Sequence, residues 1–191
     1  MVVSLLATKG KTVITNVPDV RDVATLSQIL RQMGVEITDL GGNRVLIRTT
    51  KQLQAVNFIT WPYPGFPTDF QPQMMALISM SQGTGIAKET VFENRFMHVQ
   101  EFNWFGTNIR IHLDEAVITG VSALKGASVM VSDLQAGAGL ILVALASGGQ
   151  SIIDRVYHID RGYERIEERL VNLGASIIRF NSVKKEVKQN E

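Results

Sequence analysis

Two short stretches set an arginine where an anion could be met. "FENRFMH" (92–98) and "HIDRGYE" (158–164) place Arg95 and Arg161 beside an acid, and helical periodicity puts each stretch at the opening of a helix. A guanidinium is a planar fork that bonds phosphate or carboxylate through two N–H groups at once. At a helix start it also faces the positive end of the macrodipole, which disfavours it by about 0.3–1 kcal/mol. Either a ligand anion or salt bridges to neighbouring loops would offset that cost. Two aspartates occupy a second kind of position. In "YPGFPTDFQPQ" (63–73) Asp69 precedes an apolar helix and reads as an N-cap or first-turn carboxylate. In "VSDLQAG" (131–137) Ser132 or Asp133 does the same for a second apolar helix.

The elements that must position these groups follow from a repeat. "LRQMGVEI" (30–37), "FNWFGTNI" (102–109) and "LVNLGASI" (170–177) each join an apolar helix end, a glycine and a strand-like alternation. Upstream of each lies a second glycine landmark, 24 residues away from Gly10 to Gly34, 23 from Gly83 to Gly106 and 25 from Gly149 to Gly174. A period of about 70 residues marks a repeated supersecondary unit. Leu26, Ile29, Leu30 and Met33 have helical spacing, as do Tyr163, Ile166, Leu170 and Leu173. After the capping glycine comes a hairpin, expected to turn at Gly41–Gly42 in the first unit and around Asp114–Glu115 in the second. "ASIIRF" (175–180) begins the corresponding strand of the third.

Before the first landmark of the later units lies a more apolar helix, "DFQPQMMALISMSQG" (69–83) and "DLQAGAGLILVALASGG" (133–149), each preceded by a strand, "AVNFITWP" (55–62) and "ASVMVSDL" (127–134). Such helices suit burial inside the domain. Ala136, Gly137, Ala138 and Gly139 permit close approach of a neighbouring helix. The unit is β-α-β-α-β-β and the fold class α/β (α+β), with three pseudo-symmetric units around buried helices. The expected organisation is one domain over 1–181, with units of about 1–54, 55–123 and 124–181 and a charged, disordered tail over 182–191. The first unit is expected to lack its opening strand and part of its buried helix, as in a piece of a longer polypeptide. Helices that start at equivalent positions bring their N-termini to one end, where anions are favoured.

Composition narrows the chemistry. Nineteen Lys and Arg nearly cancel eighteen Asp and Glu over 191 residues. No basic stripe is present to release counterions from nucleic acid, so a nucleic-acid partner is not expected. The chain has no cysteine and three scattered histidines, which excludes thiolate chemistry within it and leaves no metal-ligand spacing. No cofactor is expected. No apolar run reaches the ~20 residues of a membrane span, and no secretory signal is expected from the first ten residues, so a cytoplasmic protein is the expectation. Trp61, Tyr63, Trp104 and Phe105 sit singly and are expected to pack in the core.

"YPGFPTDFQ", "ETVFENRFMH", "LKGASVMVSDL" and "HIDRGYERIEERLVNLGA" resemble, in order, successive stretches of the UDP-N-acetylglucosamine enolpyruvyl transferases (1-carboxyvinyltransferases). The resemblance extends over residues 1–180, roughly the second half of such an enzyme. It implies transfer of enolpyruvyl from phosphoenolpyruvate to the sugar 3-hydroxyl in peptidoglycan synthesis, by addition, a tetrahedral intermediate and loss of phosphate. The two substrates are the implied partners. Asp69 matches the aspartate beside the sugar hydroxyl, as base or positioner, and Val91 a residue that touches the sugar nucleotide. Arg161 matches an arginine that engages phosphoenolpyruvate, with Asp133 an acid near it, while Glu93 and Arg95 are implied to be architectural. The family commonly has arginine where this chain has Gln135, which removes a permanent charge from an anion site. Its catalytic cysteine and Lys-Asn pair have no match here. The chain alone is therefore expected to be inactive, with self-association through an exposed cleft face as a possibility. The alternative is a non-catalytic ligand-binding or interaction module derived from such an enzyme.

Overall fold

The computed structural model describes residues 11–17, 24–49 and 51–180. The expected truncated opening of the first unit and the expected charged tail over 182–191 lie outside the described residues. The first unit runs β1 (Lys11–Ile14), helix α1 (Ala24–Gln32), β2 (Glu36–Gly41) and β3 (Arg44–Arg48), and its three strands form an antiparallel sheet of order β1-β3-β2. Leu26, Ile29, Leu30 and Met33 are all buried, as the helical spacing requires.

The second unit is complete. It runs β4 (Phe58–Ile59), a 3-10 turn (Thr68–Phe70), α2 (Gln71–Ser79), β5 (Thr84–Lys88), α3 (Val99–Trp104), β6 (Asn108–His112) and β7 (Glu115–Thr119), with sheet order β4-β5-β7-β6. β4 and β5 are parallel, joined through α2 as a crossover requires. The third unit holds β8 (Ser128–Met130), α4 (Leu134–Ala146), β9 (Ile152–Asp154), α5 (Tyr157–Asp160) and α6 (Ile166–Val171), with β8 and β9 parallel. The βαβ opening thus recurs in the second and third units, and the helix-hairpin close in the first and second.

All nine residues of α2 are buried, including Gln71 and Gln73, and Ala136 to Val143 of α4 are buried too. The two helices pack on each other at the centre of one apolar cluster. The small residues of α4 are what allow it. A Cβ on Gly139 would stand 2.8 Å from Phe102 Cζ and 3.0 Å from Pro72 Cβ, and one on Gly137 2.5 Å from Ile159 Cγ1. Asp133, rather than Ser132, caps α4: its Oδ1 accepts from the backbone N–H of Gln135 (3.0 Å) and Ala136 (2.9 Å). Asp133→Ala is expected to lower stability by about 1 kcal/mol, and Asp133→Asn by much less, in urea midpoints. The connection between the second and third units is pinned to both. A Cβ on Gly120 would lie 1.6 Å from the Ser81 carbonyl oxygen, and one on Gly126 2.1 Å from that of Gln150.

Several expectations are corrected. Both hairpin turns shift by one residue from the glycine and acidic pairs, the first toward the C-terminus and the second toward the N-terminus. Gly41 stays in β2 as a bulge, and Gly42–Asn43, with φ of 59° and 58°, form a two-residue turn of the type that suits strand twist. The second turn is Leu113–Asp114, because Glu115 already pairs with His112 across β6 and β7. Residues 175–180 form no strand. No hairpin partner follows them within the described residues, and Arg179 instead bridges Asp160 and Glu167. The second helix of the third unit is broken by Arg165 at φ 46°, so Arg161 follows the one-turn helix α5 and does not open a helix. Arg95 likewise lies in the turn before α3. Of the four single aromatics only Phe105 is buried, while Trp61, Tyr63 and Trp104 are exposed.

Candidate functional site at the shared start of the buried helices

The 3-10 turn that leads into α2 touches the first turn of α4. Asp69, in that turn, caps nothing: the residue before α2 is Phe70, which makes no side-chain cap. Its Oδ1 accepts instead from Gln135 Nε2 at 3.0 Å and lies 3.5 Å from Arg95 Nη2. Both donors sit on one oxygen, which leaves Oδ2 for another partner. The carboxylate is 66% exposed, so solvent or a ligand reaches it. Arg95 also lies over the Phe92 ring, 5.4 Å from its centroid. Arg95 thus contacts Asp69 directly, whereas Glu93 is exposed on the surface.

Ser132, Asp133, Leu134, Gln135, His158 and Arg161 line a solvent-open cavity of about 440 Å³. Arg161 is brought there by Gly162, since a Cβ at that position would press within 2.6 Å of Leu134 Cδ2. Among the described residues no acid pairs with Arg161. Its neighbour Asp160 is taken by Arg179, whose guanidinium holds that carboxyl below its usual range. Arg161 is thus a cation left facing the cavity, where a carboxylate or phosphate would be met. The start of α4 is less of an anion cradle than expected, because Asp133 already occupies the N–H groups of Gln135 and Ala136. The opposite charge for a bound anion rests on Arg161, with His158 beside it in the lining.

Asp69, Asp133 and Arg161 therefore belong to one surface, with Gln135 linking the first to the other two. Val91 lies beside it in a turn whose N–H groups are fixed by Glu89 Oε1, at 2.8 Å from Val91 N and 3.1 Å from Phe92 N. Glu89 and His158 were missed in the sequence. A lone histidine after a strand carries no spacing signal, and Glu89 is tied to its partners only by long-range contacts. Among the described residues no cluster of acids and histidines could hold a metal ion, and no helix is long and apolar enough to cross a membrane.

Parallel βαβ openings and helix-hairpin closes, set around buried helices whose starts carry acids and an arginine, define an enolpyruvyl-transferase-like fold. The structure matches the enolpyruvyl transferase NikO from Streptomyces tendae with a TM-score of 0.82 at 28% identity, over 92% of this chain and 42% of that one. An EPSP synthase from Acinetobacter baumannii shares the fold at a TM-score of 0.68 and 15% identity, over 95% of this chain and 43% of that one. The chain belongs to the EPSP synthase (3-phosphoshikimate 1-carboxyvinyltransferase) family, whose model matches residues 8–170.

Within that family the chain is similar to proteins named UDP-N-acetylglucosamine 1-carboxyvinyltransferase. That from Lawsonia intracellularis is 47% identical over 91% of this chain and 41% of its own length. That from Gluconacetobacter diazotrophicus is 49% identical over 78% of this chain and 36% of its own. The chain thus spans about two fifths of the length of these relatives.

Proposed function

We propose that this chain forms one wall of a UDP-N-acetylglucosamine 1-carboxyvinyltransferase site and is the C-terminal part of such an enzyme. The observation that carries the reading is the continuous surface of Asp69, Gln135, Asp133 and the unpaired Arg161 at the start of α2 and α4. In this reading the free Oδ2 of Asp69 accepts the hydrogen bond of the sugar 3-hydroxyl and takes its proton as the oxygen bonds to C2 of phosphoenolpyruvate. The methylene carbon gains a proton in the same addition, giving a tetrahedral intermediate. Loss of a methyl proton with the C–O bond to phosphate then yields the enol ether and free phosphate. Arg161 pairs with the anionic groups of phosphoenolpyruvate through these steps. Gln135 keeps the hydrogen bond to Asp69 while adding no charge, so the anion relies on Arg161 more than it would beside an arginine.

Val91 meets the sugar nucleotide from the adjacent turn. No group of this chain is assigned as the acid for the methylene carbon, and the catalytic cysteine that the resemblance implies has no counterpart here. The chain alone is therefore expected to release no phosphate from the two substrates together. It is expected to bind each of them weakly, with Arg161→Ala weakening phosphoenolpyruvate at least about tenfold, the loss of one charge-assisted bond. Calorimetric titration and a phosphate assay check both points. Phosphate release at the rate of an intact enzyme, or phosphoenolpyruvate binding unchanged by Arg161→Ala, would overturn the proposal.

A further inference from the structure

We infer that Glu89 is a positioning residue that sets Asp69 and Val91 at a fixed separation, an inference that rests on the reading above for its ligand. Glu89 follows β5 directly and is 4% exposed. Its carboxylate accepts four hydrogen bonds. Oε2 takes the Thr68 hydroxyl at 2.9 Å and Gln71 Nε2 at 2.8 Å. Oε1 takes the backbone N–H groups of Val91 and Phe92. The first pair of donors flanks Asp69, on a segment 18 to 21 residues away in sequence. The second pair belongs to the turn of Val91. A single buried group thus spans the two segments that face the sugar nucleotide.

A carboxylate has only acceptor sites, about four of them, and here four donors fill them. Neighbouring bonds brace the same strut. Thr90 N–H donates to Thr60 Oγ1 at 3.0 Å and Thr90 Oγ1 to the Thr60 carbonyl at 2.6 Å, while Glu89 N–H donates to the Asp114 carbonyl at 2.8 Å. A buried charge is a poor source of stability compared with apolar packing, and its use here points to geometry. None of these bonds is local to a helix or strand ladder, so their common effect is to fix how the turns of Asp69 and Val91 face each other.

Two substitutions separate this role from bulk packing. Glu89→Leu strands the Thr68 hydroxyl, the Gln71 amide and two backbone N–H groups. Glu89→Gln can keep the arrangement: its Oε1 accepts from Val91 and Phe92, and its amide donates to Thr68 and to Gln71. Gln71 Oε1 is buried without a partner, so turning that amide over supplies the acceptor.

The test combines amide-proton exchange of the free chain with titration of UDP-N-acetylglucosamine. Exchange at Val91 and Phe92 is expected to quicken about tenfold or more in Glu89→Leu and to stay within about threefold in Glu89→Gln. Affinity for the sugar nucleotide should follow the same order, with Thr68→Val about two- to fivefold weaker at an unchanged melting temperature. If the unsubstituted chain does not bind the sugar nucleotide, the functional reading fails, and the exchange data still decide whether Glu89 sets the two turns. Unaltered exchange and affinity in Glu89→Leu overturn the inference. Should Glu89→Leu not fold, wild-type affinity in Thr68→Val, or quickened exchange in Glu89→Gln, overturns it.

Discussion

Lowering the pH from 7 to 4 is expected to remove about 3 kcal/mol of folding free energy through one side chain, His98. His98 stands immediately before α3, is 3% exposed, and packs its ring edge-on against Phe102 at 5.0 Å. Burial disfavours the imidazolium and pushes the pKa down to about 4 from the usual 6.5. Nearby Asp133 acts in the opposite direction, Arg95 adds to the lowering, and a bond to the Arg95 backbone favours the cation. Nε2 finds no hydrogen-bond partner among the described residues, in keeping with a neutral ring. The sign follows from proton counting. Below pH 6.5 the unfolded chain gains a proton at His98 that the folded chain refuses until about pH 4. Stability is therefore full above 6.5, falls as the pH drops, and has lost this contribution by 4. Asp160 is lowered by its bond to Arg179 and acts in the same direction, but only below its unfolded value of 3.8. Urea midpoints measured between pH 7.5 and 4 should show the slope, and His98→Phe should flatten it. Equal midpoints at pH 7 and 4 would refute the account.

Gly120→Ala is expected to cost about 4 kcal/mol, or about 8–16 °C in melting temperature, since its methyl would make the closest contact of any at the described glycines. The added carbon would stand 1.6 Å from the Ser81 carbonyl oxygen and 2.8 Å from its carbon. Backbone has no rotamer with which to yield. The chain must part, and two hydrogen bonds part with it: Gly120 N–H to Gly83 O and Val121 N–H to Ser79 O, both 2.9 Å. Gly148→Ala is the control, because its methyl would meet only the Leu124 carbonyl at 3.7 Å. That variant should remain within about 0.5 kcal/mol of the parent. Calorimetric melting of the two alanine variants decides the point, and a neutral Gly120→Ala would mean that the close approach is not retained in solution.

The repeat was legible because helix period and capping glycines are local signals. Leu26, Ile29, Leu30 and Met33 announce a buried face, and the Gly-rich face of α4 announces close packing, without reference to anything distant. Turn registers were less legible, because a bulge at Gly41 shifts the pairing without changing composition. The strand over 175–180 was misread for a related reason: alternation describes a segment able to pair, and among the described residues none pairs with it. At the site, Asp69, Asp133 and Arg161 were found through local pattern and resemblance. The contacts that organise them were not. Gln135 reaches Asp69 across 66 residues of sequence, and Glu89 gathers donors from two separate turns. Arg161 shows the limit most plainly. Helix rules placed it at a start, whereas Arg165 breaks the helix and leaves it at the end of α5, where the negative pole favours a cation.

The three sheets share no strand, and each ladder closes within its own stretch of sequence among the described residues. A ladder carries damage along its rungs, since freeing one strand strips the next of its partners. Three short ladders act as firebreaks. Fraying of β1 stays within the β1-β3-β2 sheet, and loss of β9 ends with β8. No backbone ladder among the described residues therefore joins the sheet before Asp69 to the strands before Arg161.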